Sequence, residues 1–263
     1  MLIALIENAR SAPEPGLKGS CPRCGQPALA KCGPLKSWHW AHKVRQHCDP
    51  WWENETDWHR AWKQCFQLDW QEIQHFDETG EKHIADVKTP AGLAIEFQNS
   101  PITAAEMRSR EHFYDTMVWV VNAASFRDNL SISHRPLPPP GDPILSDVMF
   151  EAGLASNQSC FGFFRPSTFI QGLSLQRLYR YEELEAEIKS GHRGHYALTW
   201  QRAKEVWLQA TKPVYLDTGQ ELLELVQYSN HSRTMYGCKR VAVETFLASH
   251  GGRASALLKV VRT

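Results

Sequence analysis

The sequence has no excess of charge of either sign: its 263 residues include 29 basic and 29 acidic side chains. That balance removes any global electrostatic case for nucleic acid, so a polyanionic partner must be met by a local patch. No apolar run approaches a membrane span; Leu2–Ile6 is apolar but short, and acidic Glu7 follows it. With neither a span nor a signal peptide read from the residues, the expected compartment is the cytoplasm. There, the seven cysteines read as metal ligands or buried thiols rather than disulfides. No internal repeat is present. What the chain has in quantity is material to bury: ten Trp and eleven Phe, in a length that suits one large domain or two modest ones.

The pattern of the residues divides the chain. Residues 1–50 begin with a short strand at Leu2–Glu7, then a Pro/Gly-rich turn region, then a Cys- and His-dense stretch with little helical periodicity. Residues 51–124 read as helix, three strands, helix, strand. The first helix is expected from about Glu55 to Leu68, with Asn54 as its cap and Trp58, Trp62 and Phe66 as its apolar stripe. Strands are expected near Trp70–Phe76, His83–Val87 and Leu93–Gln98, separated by turn residues. Thr103 with Glu106 is a capping box that starts a second helix, and Met117–Asn122 is rich in strand formers. Residues 125–147, with RPLPPPGDP, read as a Pro-rich linker. Residues 148–263 form a C-terminal α+β region, with helices near Tyr181–Lys189, Arg202–Gln209 and Arg240–Ser249 and a strand with a turn at Pro213–Gly219.

Two carboxylates stand out. On an extended segment side chains alternate faces, so Glu96 and Gln98 share one face while Ile95 and Phe97 share the other. Asp86 lies on the preceding strand, across a short turn that makes the two strands neighbours. Two such acids can hold a hard divalent cation beside a phosphate, or can line a solvated sheet face. Four further polar residues flank them. Glu55 and His59 are four apart on the first helix, and Arg110 and Tyr114 are four apart on the second.

A second constellation lies upstream. Cys21-Pro-Arg-Cys24 is a two-residue knuckle, and His39-Trp-Ala-His42 supplies a second close pair. Together they make a Cys₂His₂ set of structural-zinc type, with Cys32, His47 and Cys48 as rival ligands. Lys31, Lys36, Lys43 and Arg45, with Trp38 and Trp40, form a basic–aromatic mix that suits either a DNA backbone or a solvated loop.

Taken jointly, ENETDWH (Glu53–His59), IADV (Ile84–Val87), IEFQNSPIT (Ile95–Thr103) and REHFY (Arg110–Tyr114) resemble the CoiA-like competence family of the PD-(D/E)XK nuclease superfamily. The CPRCG and HWAH segments are similar to that family's N-terminal motifs, and the resemblance covers about residues 1 to 124. It implies an α/β, restriction-endonuclease-like core with an N-terminal zinc module, acting as a deoxyribonuclease in DNA processing, transformation or phage defence. Asp86 and Glu96 would hold Mg²⁺ or Mn²⁺, and Gln98 would position water or phosphate where the superfamily usually has Lys. Glu55 would complete the metal shell through water, and His59 would contact phosphate or move a proton. Arg110 and Tyr114 complete the implied site. Ala85 replaces the Arg of many relatives, and Thr56 their Ser. Two alternatives stand beside the nuclease: an inert DNA-binding accessory protein, and a subunit activated by a protein partner through the C-terminal region.

Overall fold

The computed structural model describes residues 1–34, 37–43, 48, 51, 55–147, 149–152, 161–164, 181–230, 233–255 and 258. Asn54, the expected cap, and His47, Lys36 and Arg45 of the Cys/His region lie outside them. The fold is mixed α/β, mostly sheet with few helices. It divides into two compact units interleaved along the chain. One contains the described residues of 1–122, 209–213 and 244–263, the other those of 123–208 and 214–243. No helix among the described residues is long and apolar enough to cross a membrane.

The first unit opens with β1 (Ala4–Ile6), β2 (Ala9–Ser11), β3 (Lys18–Ser20), β4 (Pro27–Lys31) and β5 (His39–His42). They form an antiparallel sheet in the order β2-β1-β3-β4-β5. Its inner face carries Ala4, Ala28 and Trp40, all buried. The Cys/His region is thus more regular than its composition suggests. Small residues let β4 pack closely against the Trp40 ring, and Trp40 Nε1 is satisfied by the carbonyl of Ser11.

α1 (Asp57–Lys63) follows. Its cap is Thr56, whose hydroxyl accepts from the His59 amide while the His59 ring answers the Thr56 backbone. The helix therefore starts two residues later than expected, and Glu55 precedes it rather than sharing a helical face with His59. Trp58 and Trp62 are buried against Phe97, with ring centroids 6.2 and 5.6 Å away. β6 (Gln71–Phe76), β7 (Lys82–Lys88) and β8 (Ala94–Gln98) make an antiparallel meander, as the turn residues require. α2 (Ala104–Tyr114) is capped by Thr103, which accepts from the Glu106 amide. It carries the chain across to β9 (Met117–Asn122), which pairs with β8 in parallel. A parallel neighbour needs such a crossover, so the helix is what makes the pairing possible.

The C-terminal helix Val243–Ser249 and its following turn close α1 from the side. Phe246 meets Trp62 edge-on at 5.9 Å, and the Arg253 amide donates to the Cys65 carbonyl at 2.7 Å. The helix begins at Val243 and not at Arg240, which belongs to the strand before it. Glu111 of α2, buried, accepts from Trp119 Nε1 and from the amide and hydroxyl of Thr211.

The second unit contains β10 (Leu130–Leu137), the hairpin β11 (Met149–Ala152) with β12 (Phe161–Phe164), α3 (Tyr181–Gly191), β13 (His195–Trp200), α4 (Glu205–Leu208), β14 (Val214–Asp217), β15 (Leu222–Asn230) and β16 (Arg233–Val241). Five of its strands pair antiparallel in the order β10-β13-β16-β15-β14. The segment read as a linker is a strand of this sheet. Leu137 is fully buried in a cluster with Ile188, Ala197, Tyr228 and Met235, and the Pro138 carbonyl accepts from the Tyr228 hydroxyl at 2.8 Å. Residues 125–147 are therefore structural rather than connecting.

Candidate functional site

Register places the two acids. β7 and β8 pair at Val87↔Ile95 and Lys88↔Ala94, which sets Asp86 opposite Glu96 on one face. Beyond these pairs each carboxylate takes an amide of the other strand. Phe97 N donates to Asp86 Oδ2 at 3.0 Å, and Asp86 N donates to Glu96 Oε1 at 3.2 Å. The acids thus replace a missing rung of the ladder and are fixed by the backbone itself.

Around them is a pocket of about 100 Å³, lined by Glu55, His59, Lys63, Glu72, Asp86, Glu96, Arg110 and Tyr114 among others. Of the seven active-site residues expected from sequence, six line it: Glu55, His59, Asp86, Glu96, Arg110 and Tyr114. Gln98 does not. It is buried, and its amide donates to the Ser100 carbonyl at 3.0 Å and approaches the Ser100 hydroxyl at 3.4 Å.

Two residues that sequence reasoning missed dominate the electrostatics. Lys63, buried at the end of α1, puts its ammonium 3.0 Å from Asp86 Oδ1, 3.0 Å from Glu55 Oε1 and 3.3 Å from Glu72 Oε1. Burial pulls its pKa down, but Asp86, Glu55 and Glu72 outweigh that and hold it well above its ordinary value. The available signal was spacing, since Lys63 lies four residues after His59. Glu72 is the second. Its φ of 49° lies in the left-handed region, uncommon for a residue with a side chain, and its carboxylate accepts the amides of Leu2 and Ile3 at 2.8 and 2.9 Å.

Burial raises the Glu72 carboxyl, yet Lys63, the Met1 ammonium and the Leu2 and Ile3 amides hold it down to about 2 from 4.5. A depressed carboxyl contributes stability above its unfolded value, here pH 4.5, and that stability is lost as pH falls toward 2. Glu72→Gln is expected to cost about 3 kcal/mol at pH 7 and to flatten the acid limb between pH 4.5 and 2, measured by urea unfolding across that range. An unchanged acid limb would show that Glu72 carries no such linkage.

Glu96 is the opposite case. Burial and the facing Asp86 push it up to about 8, against the pull of Arg110. Arg110 Nη1 is 3.3 Å from Glu96 Oε2, and Nη2 donates to Glu106 and to the Trp51 carbonyl. The guanidinium also lies 5.6 Å from the Trp51 ring centre and 5.9 Å from that of Trp119. His59 turns Nδ1 to the Thr56 hydroxyl at 2.9 Å. The pocket lining gathers four carboxyls (Glu55, Glu72, Asp86, Glu96) beside Lys63 and Arg110, and carboxylate oxygens are the donors a hard divalent cation takes.

The Cys/His module resolves differently from the expected ligand set. Cys21, Cys24, His42 and Cys48 place their ligand atoms within 4.8 Å of one another. The Cys21 and Cys48 sulfurs are 3.7 Å apart, and Cys24 Sγ is 3.3 Å from His42 Nε2. Ligand arms of ~2.3 Å in a tetrahedron give edges of ~3.8 Å, so the set can hold a zinc ion. Burial and the neighbouring Cys21 and Cys24 push the Cys48 thiol up to about 12; thiols this crowded resist losing protons together, and a bound cation removes that resistance. Four protein ligands leave no open position, which makes the site structural. His39 is not a ligand. Three residues before His42 on β5, it faces the other side of the sheet, with Nδ1 2.9 Å from the Ser37 carbonyl. His39→Ala is expected to retain one zinc per chain and Cys48→Ser to lose it, read by atomic absorption on the purified protein; zinc loss in His39→Ala would restore the Cys₂His₂ set.

Comparison with models of protein families, with characterised proteins and with solved structures finds no match to this chain.

Proposed function

We propose that the chain is a divalent-metal-dependent nuclease of the PD-(D/E)XK type, related to the CoiA-like family, which hydrolyses DNA phosphodiester bonds in DNA processing, transformation or phage defence. The observation that carries the proposal is the opposed pair Asp86 and Glu96, each locked to the other's strand, in one pocket with Lys63 and Arg110. The order of α1, the meander, α2 and parallel β9 supports it, because that is the element order which the motif resemblance implies.

Asp86 and Glu96 would hold the cation through lone pairs not used by the amides, Lys63 and Arg110. A bound Mg²⁺ or Mn²⁺ supplies a more acidic water and offsets charge that builds on the phosphate. The chain's own residues do the rest. Arg110 fixes the orientation of Glu96. Lys63 brings to Asp86 the positive charge which Gln98 cannot supply, entering from a helix instead of the strand. Glu55 and Glu72 hold the Lys63 ammonium in place, and His59, anchored through Nδ1, presents its ring to the pocket as a phosphate contact or proton carrier. The test is Mg²⁺-dependent cleavage of single- and double-stranded DNA, with Asp86→Ala and Glu96→Ala as controls. Cleavage that survives both substitutions rejects the mechanism.

One observation favours a second reading, an inert DNA-binding accessory protein: Gln98 is turned to Ser100, and both acids are already paired with cations. Salt-dependent DNA binding without metal-dependent turnover would select it.

A further inference from the structure

We propose that the outer face of the five-stranded sheet binds the phosphate backbone of a nucleic-acid strand; this rests on the nuclease reading above, and supplies the substrate contact that a neutral chain otherwise lacks. Register puts the relevant residues together. Lys18 is opposite Leu29, Lys31 is opposite His39, and the Lys43 amide donates to the Pro27 carbonyl, which extends β5 by one step in the same register. Alternation therefore sets Lys18, Leu29, Lys31, His39 and Lys43 on one face, away from buried Ala28 and Trp40. The three lysines are exposed, and no ion pair joins any of them to a carboxylate among the described residues. No acidic residue lies on the five strands.

The chemistry of the face selects the occupant. Three unneutralised ammonium groups around a small apolar patch fit a polyanion that also presents apolar sugar and base surface. Trp38, 48% exposed, stands immediately before β5 and offers a ring for stacking. Trp40, its near neighbour in sequence, is buried and excluded from this role. The sheet is also joined to the pocket. Arg10 of β2 donates to the carbonyls of Gln71 and Glu72, and the Leu2 and Ile3 amides bind the Glu72 carboxylate. A strand held on this face is thus held by an element anchored directly to a wall of the pocket.

The test uses the full zinc-loaded chain in an Asp86→Asn background, so that cleavage does not intrude. Binding of fluorescent single-stranded and duplex oligonucleotides is followed by anisotropy across a salt series. K18Q/K31Q/K43Q is expected to weaken binding at least about 10-fold at 0.1 M salt, and to reduce the slope of log K against log salt by about 2 to 3. R193Q/R202Q/K204Q removes the same charge elsewhere and should leave that slope unchanged. Equal loss in both variants, or no change in the first, overturns the proposal. So does loss in the first variant of binding to phosphatidylserine vesicles with oligonucleotide binding intact. If the triple variant loses zinc, the three single Lys→Gln variants carry the test, each expected to lower the slope by about 1. A lowered slope with no cleavage by the parent chain keeps the face and rejects the nuclease; cleavage with an unchanged slope does the reverse.

Discussion

Asp86→Asn is expected to reduce Mg²⁺-dependent DNA cleavage at least about 10³-fold while leaving the protein folded. The two effects separate because Asp86 has two jobs. Its Oδ2 satisfies the Phe97 amide, and an asparagine oxygen can do the same. Its negative charge faces Lys63, which keeps Glu55 and Glu72 as partners when that charge is removed. Asp86→Ala is the poorer variant, because it orphans the Phe97 N–H at about 1–3 kcal/mol and confuses lost chemistry with lost stability. The measurement is single-turnover cleavage beside thermal unfolding of the same samples. Cleavage within tenfold of the parent chain, at unchanged Tm, would remove Asp86 from the chemistry.

Lys63→Met is expected to lower stability by about 3–5 kcal/mol, because it leaves three carboxylates without their buried cation. In a chain of this size that corresponds to a Tm lower by about 10 °C. Mg²⁺ should then raise the Tm of the variant by more than it raises that of the parent, since a divalent cation replaces the missing charge and binds only the folded site. Cleavage should remain low even when Mg²⁺ restores the Tm. That combination separates a lysine acting in the chemistry from one that only holds the pocket together. A variant that regains both stability and cleavage with Mg²⁺ would assign Lys63 a structural role alone.

The central meander was legible because its signals are local. Turn residues at Asp77–Gly80 and Thr89–Gly92 punctuate alternating segments, and Thr103 with Glu106 marks the start of α2. Once those strands are neighbours, the pairing of Asp86 with Glu96 follows from period two alone. For Lys63 only the four-residue spacing from His59 was legible; its role comes from three acids on separate segments that only the fold assembles. The zinc ligands were half legible: the knuckle gave Cys21 and Cys24, but a strand through HWAH separates His39 from His42. The proline-rich stretch misled for a physical reason. Proline cannot donate to a ladder, which argues against a central strand, yet among the described strands of its unit β10 pairs with β13 alone, at one edge, and shifts register between Ile132 and Pro136.

The seating of the C-terminal helix on α1 has a consequence in time. Trp62 and the Cys65 carbonyl find Phe246 and Arg253 only after nearly two hundred further residues have been synthesised. Domains tend to fold as units in the order they emerge from the ribosome, and this one cannot. The helix that delivers Lys63 waits for a wall that is translated late, with the whole second unit made in between. The residues that line the pocket all lie within 1–114, so what the late segment completes is the backing of α1 behind Lys63 and not the lining itself.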